Sequence, residues 1–137
     1  MSSSGKEDPT SISQIQVGGV WPAAITPRRD SGYEPDLGAA LEIIDYLNSF
    51  KIDVIALFGS TGEFIHFDLP DRVKLTQMAI LRSRKPIIVC PAHSTYDGTL
   101  TLAAEAMNAG SVAALVMPPY YFRYSQKSIR EFYLRLV

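Results

Sequence analysis

The chain has 137 residues, 47% of them apolar and 20% charged, and its 13 basic and 14 acidic side chains leave a formal charge of −1. That balance excludes a wholly disordered chain, which would be apolar-poor and strongly charged, and a nucleic-acid binder relying on a basic excess. One domain is expected, no apolar run nears the roughly 18 residues of a membrane span, and a single cysteine, Cys90, allows neither an internal disulfide nor a cysteine metal cluster.

Residues 1–16 (MSSSGKEDPTSISQIQ) are Ser-rich and aperiodic. They are expected to form a disordered polar tail, and they lack the apolar stretch of a secretory signal. Together with the lone cysteine this fits a reducing, cytoplasmic setting.

The folded part, residues 17–137, opens with a continuous apolar run, Gly18–Ile25. Pro22 demotes it as a strand, because proline cannot donate to a ladder. Leu37, Leu41, Ile44 and Leu47 then recur at helical spacing. Val54–Phe58 is the second apolar run. Leu75, Met78 and Ala79 form a stripe after Pro70, a residue suited to a helix's first turn. Ile87–Cys90 is the third run. Leu100, Ala103, Ala104 and Met107 make the next stripe, with Gly110 as its C-cap. Val112–Met117 is the fourth run, and Ile129, Phe132, Tyr133 and Leu136 form a last helix capped by Ser125. Runs without polar alternation are buried on both faces, as parallel strands between helices are.

The order βαβαβαβα places the chain in the α/β class with a parallel sheet. An open doubly wound sheet and a (β/α)8 TIM barrel both fit this order. A full barrel typically needs about 250 residues, so about four βα units amount to half a barrel. Such a half is expected to leave Val54, Ala56, Phe58 and Val89 short of part of their cover.

Ligands of parallel α/β sheets bind beyond the carboxyl ends of the strands. After the first run comes Thr26-Pro27-Arg28-Arg29-Asp30, read as a turn with a solvated charge cluster. After the second comes Gly59-Ser60-Thr61-Gly62-Glu63. Its two glycines are expected to supply positive φ and close backbone approach. Its hydroxyls and N–H groups suit a carboxylate or phosphate oxygen, although an ordinary polar turn reads the same way. No Lys follows Gly62, so this is not a Walker loop. After the third run, His93 is either a general base or a residue of packing or loop hydrogen bonding, and His66 is a weaker candidate of the same kind. After the fourth, Pro118-Pro119-Tyr120-Tyr121-Phe122-Arg123-Tyr124 offers an aromatic contact surface or a site wall.

Three of these motifs together resemble the dihydrodipicolinate synthase / N-acetylneuraminate lyase family: Ala24-Ile25-Thr26-Pro27, then Gly59-Ser60-Thr61-Gly62-Glu63, then Pro119-Tyr120-Tyr121 with Ser125-Gln126 following. The resemblance implies a (β/α)8 barrel, assembled as a dimer of dimers, that cleaves or condenses pyruvate or a related 2-oxo acid through a lysine Schiff base. It implies Ser60 and Thr61 as holders of the substrate carboxylate. It implies catalytic roles for Ser60, in a proton relay, and for Tyr121, which completes that relay in a neighbouring subunit's site. Ser60 stands where synthases commonly carry Thr and lyases Ser. No metal and no separate cofactor are implied, and neither nucleic acid nor membrane is a partner. The family's Schiff-base lysine and its Tyr-Asn-x-Pro tyrosine lie on later strands, beyond residue 137, so the resemblance implies that residues 17–137 are the N-terminal half-barrel and that the chain alone is inactive. Two other readings stay open: a non-catalytic half-barrel remnant, and an unrelated α/β module that binds a small carboxylate.

Overall fold

The computed structural model describes residues 18–30 and 32–137. The tail expected over residues 1–16 lies outside them. Four helices alternate with three short parallel strands: α1 (Leu37–Asn48), β1 (Ile55–Leu57), α2 (Leu69–Arg82), β2 (Ile87–Val89), α3 (Tyr96–Ala109), β3 (Ala113–Ala114) and α4 (Gln126–Leu136). The sheet order is β1-β2-β3, with Ile55 opposite Ile87 and Val89 opposite Ala114. No helix among the described residues is long and apolar enough to cross a membrane.

Each helix starts where a short polar side chain satisfies a free N–H. Asp36, Asp68, Thr95 and Ser125 accept from the amides of Ala39, Asp71, Gly98 and Ser128. Pro70 sits in the first turn of α2, and Gly110 ends α3 at φ +106°, both as expected from the sequence.

The first apolar run does not extend into a strand. It joins the sheet through one parallel bridge, Ala23 with Ala56. Ala24 donates to the Ala56 carbonyl and Ala56 to the Pro22 carbonyl. Pro22 has no N–H to continue the ladder, which is why the pairing stops.

The main core lies between helices and sheet, where Ile55, Leu57, Ile87 and Val89 meet Ala40, Ile44, Leu75, Ala79 and Ala106. On the sheet's other face Val54, Ala56 and Ile88 cluster with Trp21 and Ala113. Val54, Ala56, Phe58 and Val89 do not lose their cover as expected; none is more than 9% exposed. Val89 faces the helices, and the small inner-face cluster shields its own members beneath Trp21. Exposure falls instead at the margins, at Val20 and Ile25 beside β1 and at Leu115 just after β3.

The α3 stripe is also corrected. Leu100 and Met107 are exposed, whereas Gly98, Thr99, Leu102 and Ala106 are buried. Small residues allow α3 to lie close to its neighbours, and that outweighs the larger side chains of the alternative stripe.

Candidate active site

The exits of the three strands converge on one cavity of about 320 Å³, at the small end of the roughly 300–1,000 Å³ usual for ligand pockets. Phe58, Gly59 and Ser60 come from the β1 exit, Cys90 and Ala92 from the β2 exit, and Leu115, Val116 and Met117 from the β3 exit, with Phe64 closing one side. A second hollow, of about 290 Å³, shares Ser60 and Phe64 with it and adds Glu63, Ile65 and His66. A larger, more open groove of about 440 Å³ runs between α3 and α4, past Tyr96, Phe132 and Arg135, away from the strand exits. The strand-exit cavity is the candidate site, because it joins the exits of all three strands to the Gly-Ser-Thr-Gly-Glu turn.

That turn is two overlapping reverse turns, closed by Gly62 N–H to the Gly59 carbonyl (3.0 Å) and Glu63 N–H to the Ser60 carbonyl (3.1 Å). Among the described residues the N–H groups of Ser60 and Thr61 have no backbone acceptor, so they are open to a ligand oxygen. The positive φ expected of the glycines falls elsewhere, on Phe58 (φ +57°) and Glu63 (φ +51°). Gly62 is required for space instead: a Cβ there would lie 3.0 Å from the Ala24 carbonyl oxygen and 3.1 Å from the Phe58 backbone. The Thr26 hydroxyl donates to the Gly62 carbonyl (2.9 Å), and Arg28 pairs with Glu63 (2.8 Å). The charge cluster after the first run is therefore partly a strut for the turn.

Of the residues singled out in the sequence, Ser60 lines the cavity. Thr61 sits beside it, exposed and off the cavity wall. Tyr121 is 77% exposed, stacked edge-on against Phe122, and apart from the cavity within this chain. Its neighbour Tyr120 reaches the site wall by an edge contact with Phe64 at 5.9 Å. His93 is occupied in the loop: its Nδ1 accepts the Thr95 N–H (3.1 Å) and lies 3.0 Å from the Thr95 hydroxyl, while its ring rests on Gly98. An N–H can only donate, so Nδ1 is the acceptor in that bond and its lone pair is engaged within the loop.

Arg72 went unnoticed in the sequence. It is 2% exposed on α2, and donates to the carbonyl oxygens of Ala92 (2.7 Å) and Cys90 (2.9 Å). Burial lowers its pKa to about 10, partly opposed by Tyr120 and Cys90, so it stays charged at neutral pH. Burial also pushes the Cys90 thiol up, against the pull of Arg72. The signal was available: Arg72, Leu75 and Ala79 fall at i, i+3 and i+7, which puts the charge on the stripe that faces the core. Among the described residues no three His, Cys, Asp or Glu side chains gather as metal ligands.

The sequence model described as the Dihydrodipicolinate synthetase family matches residues 16–137. A curated relative, the 2-dehydro-3-deoxy-D-gluconate/2-dehydro-3-deoxy-phosphogluconate aldolase of Picrophilus torridus, is 32% identical over 113 residues, which are 82% of this chain and 42% of the relative. The solved 2-keto 3-deoxygluconate aldolase from Picrophilus torridus is similar with a TM-score of 0.82 at 31% identity, over 86% of this chain and 43% of that one. The solved dihydrodipicolinate synthase from Aquifex aeolicus gives 0.80 at 27% identity, over 86% and 40%. The chain spans about two-fifths of the length of the curated relatives it matches. Its parallel α/β sheet is that of the TIM-barrel enzymes it resembles, and the family model covers it from residue 16 onward: the chain belongs to the dihydrodipicolinate synthetase family, a family of lyases and aldolases.

Proposed function

We propose that this chain serves a lyase or aldolase reaction on pyruvate or a related 2-oxo acid, carried by a lysine Schiff base. The supporting observation is the cavity at the strand exits, where Ser60 lines one wall and the open N–H groups of Ser60 and Thr61 belong to the turn beside it. Those donors suit a carboxylate, and the apolar remainder suits the short carbon skeleton of a 2-oxo acid. An amine adding to the ketone and losing water forms an imine, which accepts electron density when a bond at the adjacent carbon breaks or forms.

In this reading the lysine comes from outside the described residues. Lys51 and Lys85 precede β1 and β2, at the opposite end of the strands from the cavity, and Lys74 and Lys127 lie on α2 and α4. Ser60 joins the proton relay, and Tyr121, exposed on its own chain, completes the relay of a neighbour in a homo-oligomer, a dimer of dimers. The chain then represents the N-terminal half of a cytoplasmic enzyme. One observation favours a second reading, a non-catalytic carboxylate-binding half-barrel: among the described residues no lysine lines the cavity.

Amide NMR of the chain titrated with pyruvate tests the proposal. Shifts at Ser60 and Thr61 that a neutral ketone such as acetone does not reproduce are expected, and their absence sinks it. Borohydride reduction with pyruvate followed by mass spectrometry separates the two readings. No adduct is expected on residues 1–137 alone, and an adduct is expected when the remainder of a family enzyme is present.

A further inference from the structure

Four groups that line the Ser60 cavity also touch Arg72. Its guanidinium is hydrogen-bonded to the carbonyls of Cys90 and Ala92, and lies 5.3 Å from the Phe58 ring centre and 5.4 Å from that of Phe64. Its Nε has no acceptor, and among the described residues no carboxylate pairs with it. A buried charge without a counter-ion is a poor way to hold a helix to a sheet; an apolar side chain of similar volume does so as well or better. Core stability therefore does not explain Arg72.

Phe58 supplies what does. It is a bulky residue in the left-handed region, at φ +57°, at the step where the chain leaves β1 and enters the turn. Such a conformation persists only where its surroundings over-determine it. The Phe58 ring is buried, with Arg72 against it and Phe67 at its edge, 6.5 Å between ring centres.

We propose that Arg72 is a positioning residue for the Gly59–Glu63 turn: bonded to the Cys90 and Ala92 carbonyls and lying against Phe58 and Phe64, it holds Phe58 in the left-handed conformation that brings Ser60 to the cavity. Arg72 occupies no ligand position. It acts through the Phe58 ring, and it ties the exit of β2 to that of β1, so two walls of the cavity keep one spacing.

Hydrogen exchange and NMR of the 137-residue chain test this. The amides of Gly62 and Glu63, bonded within the turn, report on its closure. In Arg72→Lys and Arg72→Met their exchange speeds up about ten-fold or more, while Leu57 and Val89 in the strands stay within about two-fold, and the Phe58 Cα and Cβ shifts leave their left-handed values. Arg72→Met keeps the apolar volume and guards against loss of fold in the lysine variant. Uniform acceleration across turn and strands, or an unchanged turn in either folded variant, overturns the proposal. In the unsubstituted chain the guanidinium protons of Arg72 exchange about ten-fold more slowly than those of exposed Arg84, and equal rates overturn it also. These measurements follow the backbone and not a ligand, so failure to bind pyruvate would sink the 2-oxo acid reading and leave this one standing.

Discussion

The hydroxyl of Thr26 donates to the carbonyl oxygen of Gly62 across 36 residues of sequence, at 2.9 Å. The exit of the first apolar run is thereby fastened to the turn that follows β1. The neighbouring Arg28–Glu63 pair is partly exposed and adds at most about 1 kcal/mol. The hydroxyl bond, to a buried residue, is the firmer of the two.

Gly62 should tolerate no side chain. The atoms a Cβ would meet at 3.0–3.1 Å are backbone atoms of Ala24 and Phe58, which cannot swing aside. Gly62→Ala is expected to lower stability by about 1–3 kcal/mol. Gly59→Ala, whose nearest contact is Cys90 Sγ at 3.8 Å, should stay within about 0.5 kcal/mol of the parent. Urea unfolding checks both, and equal midpoints for the two variants would show that the turn is not packed as described.

Ser60→Ala should weaken pyruvate binding by about 1–3 kcal/mol, the usual loss when a ligand's polar group goes unpaired. Thr61→Val should weaken it less, because the Thr61 side chain lies off the cavity and its N–H survives the change. Isothermal titration of an assembled family enzyme carrying each substitution measures the order, and a reversed order would remove Ser60 from the carboxylate site.

Tyr121→Phe should leave the unfolding midpoint of the chain unchanged, since the side chain is exposed and its described partner is a ring. Turnover of the assembled enzyme should nevertheless fall by about 10²-fold, as for a lost proton relay. Full activity in that variant would refute the relay role.

The α/β class, the strand exits and three helix boundaries were legible because Pro70, Gly110 and Ser125 act through local chemistry that a sequence displays. The α3 face was not, because Leu100 and Met107 mark a stripe as apolar as that of Leu102 and Ala106, and only close packing chooses between them. In the turn, glycine was assigned a torsional role that Phe58 and Glu63 hold, while Gly62 answers to backbone crowding from a distant loop. Arg72 sits on a core-facing stripe that the sequence does display, but its partners are main-chain carbonyls at the β2 exit, which side-chain identities do not reveal.

Asp45 on α1 grips Arg82 on α2, with Nη2 to Oδ2 at 2.6 Å, and that hydrogen bond holds its carboxyl below the ordinary value of 3.8. A carboxyl depressed on folding contributes stability above its unfolded pKa and loses it as pH falls through the folded one. Asp45→Asn should therefore flatten the decline of the melting midpoint below about pH 4 and lower the midpoint near neutrality. The pair is exposed, so added salt should shrink the difference. An unchanged acid limb would show that the pair contributes nothing.

The 137-residue chain should self-associate. Beyond β3 no further strand pairs with the sheet among the described residues, and Leu115 beside it is 60% exposed, as free edges with apolar side chains invite pairing. Sedimentation should show concentration-dependent growth that Leu115→Lys reduces. A dispersed monomer at high concentration would contradict this.

Cys90 is the only cysteine, and it is buried where β2 opens into the site. It lines the cavity wall and is 6% exposed, so the rate at which a disulfide reagent labels it, compared with the rate in the unfolded chain, reads how far the candidate site admits a small molecule. The molecule thus carries its own reporter on the candidate cavity, at a position where no residue has to be added to observe it.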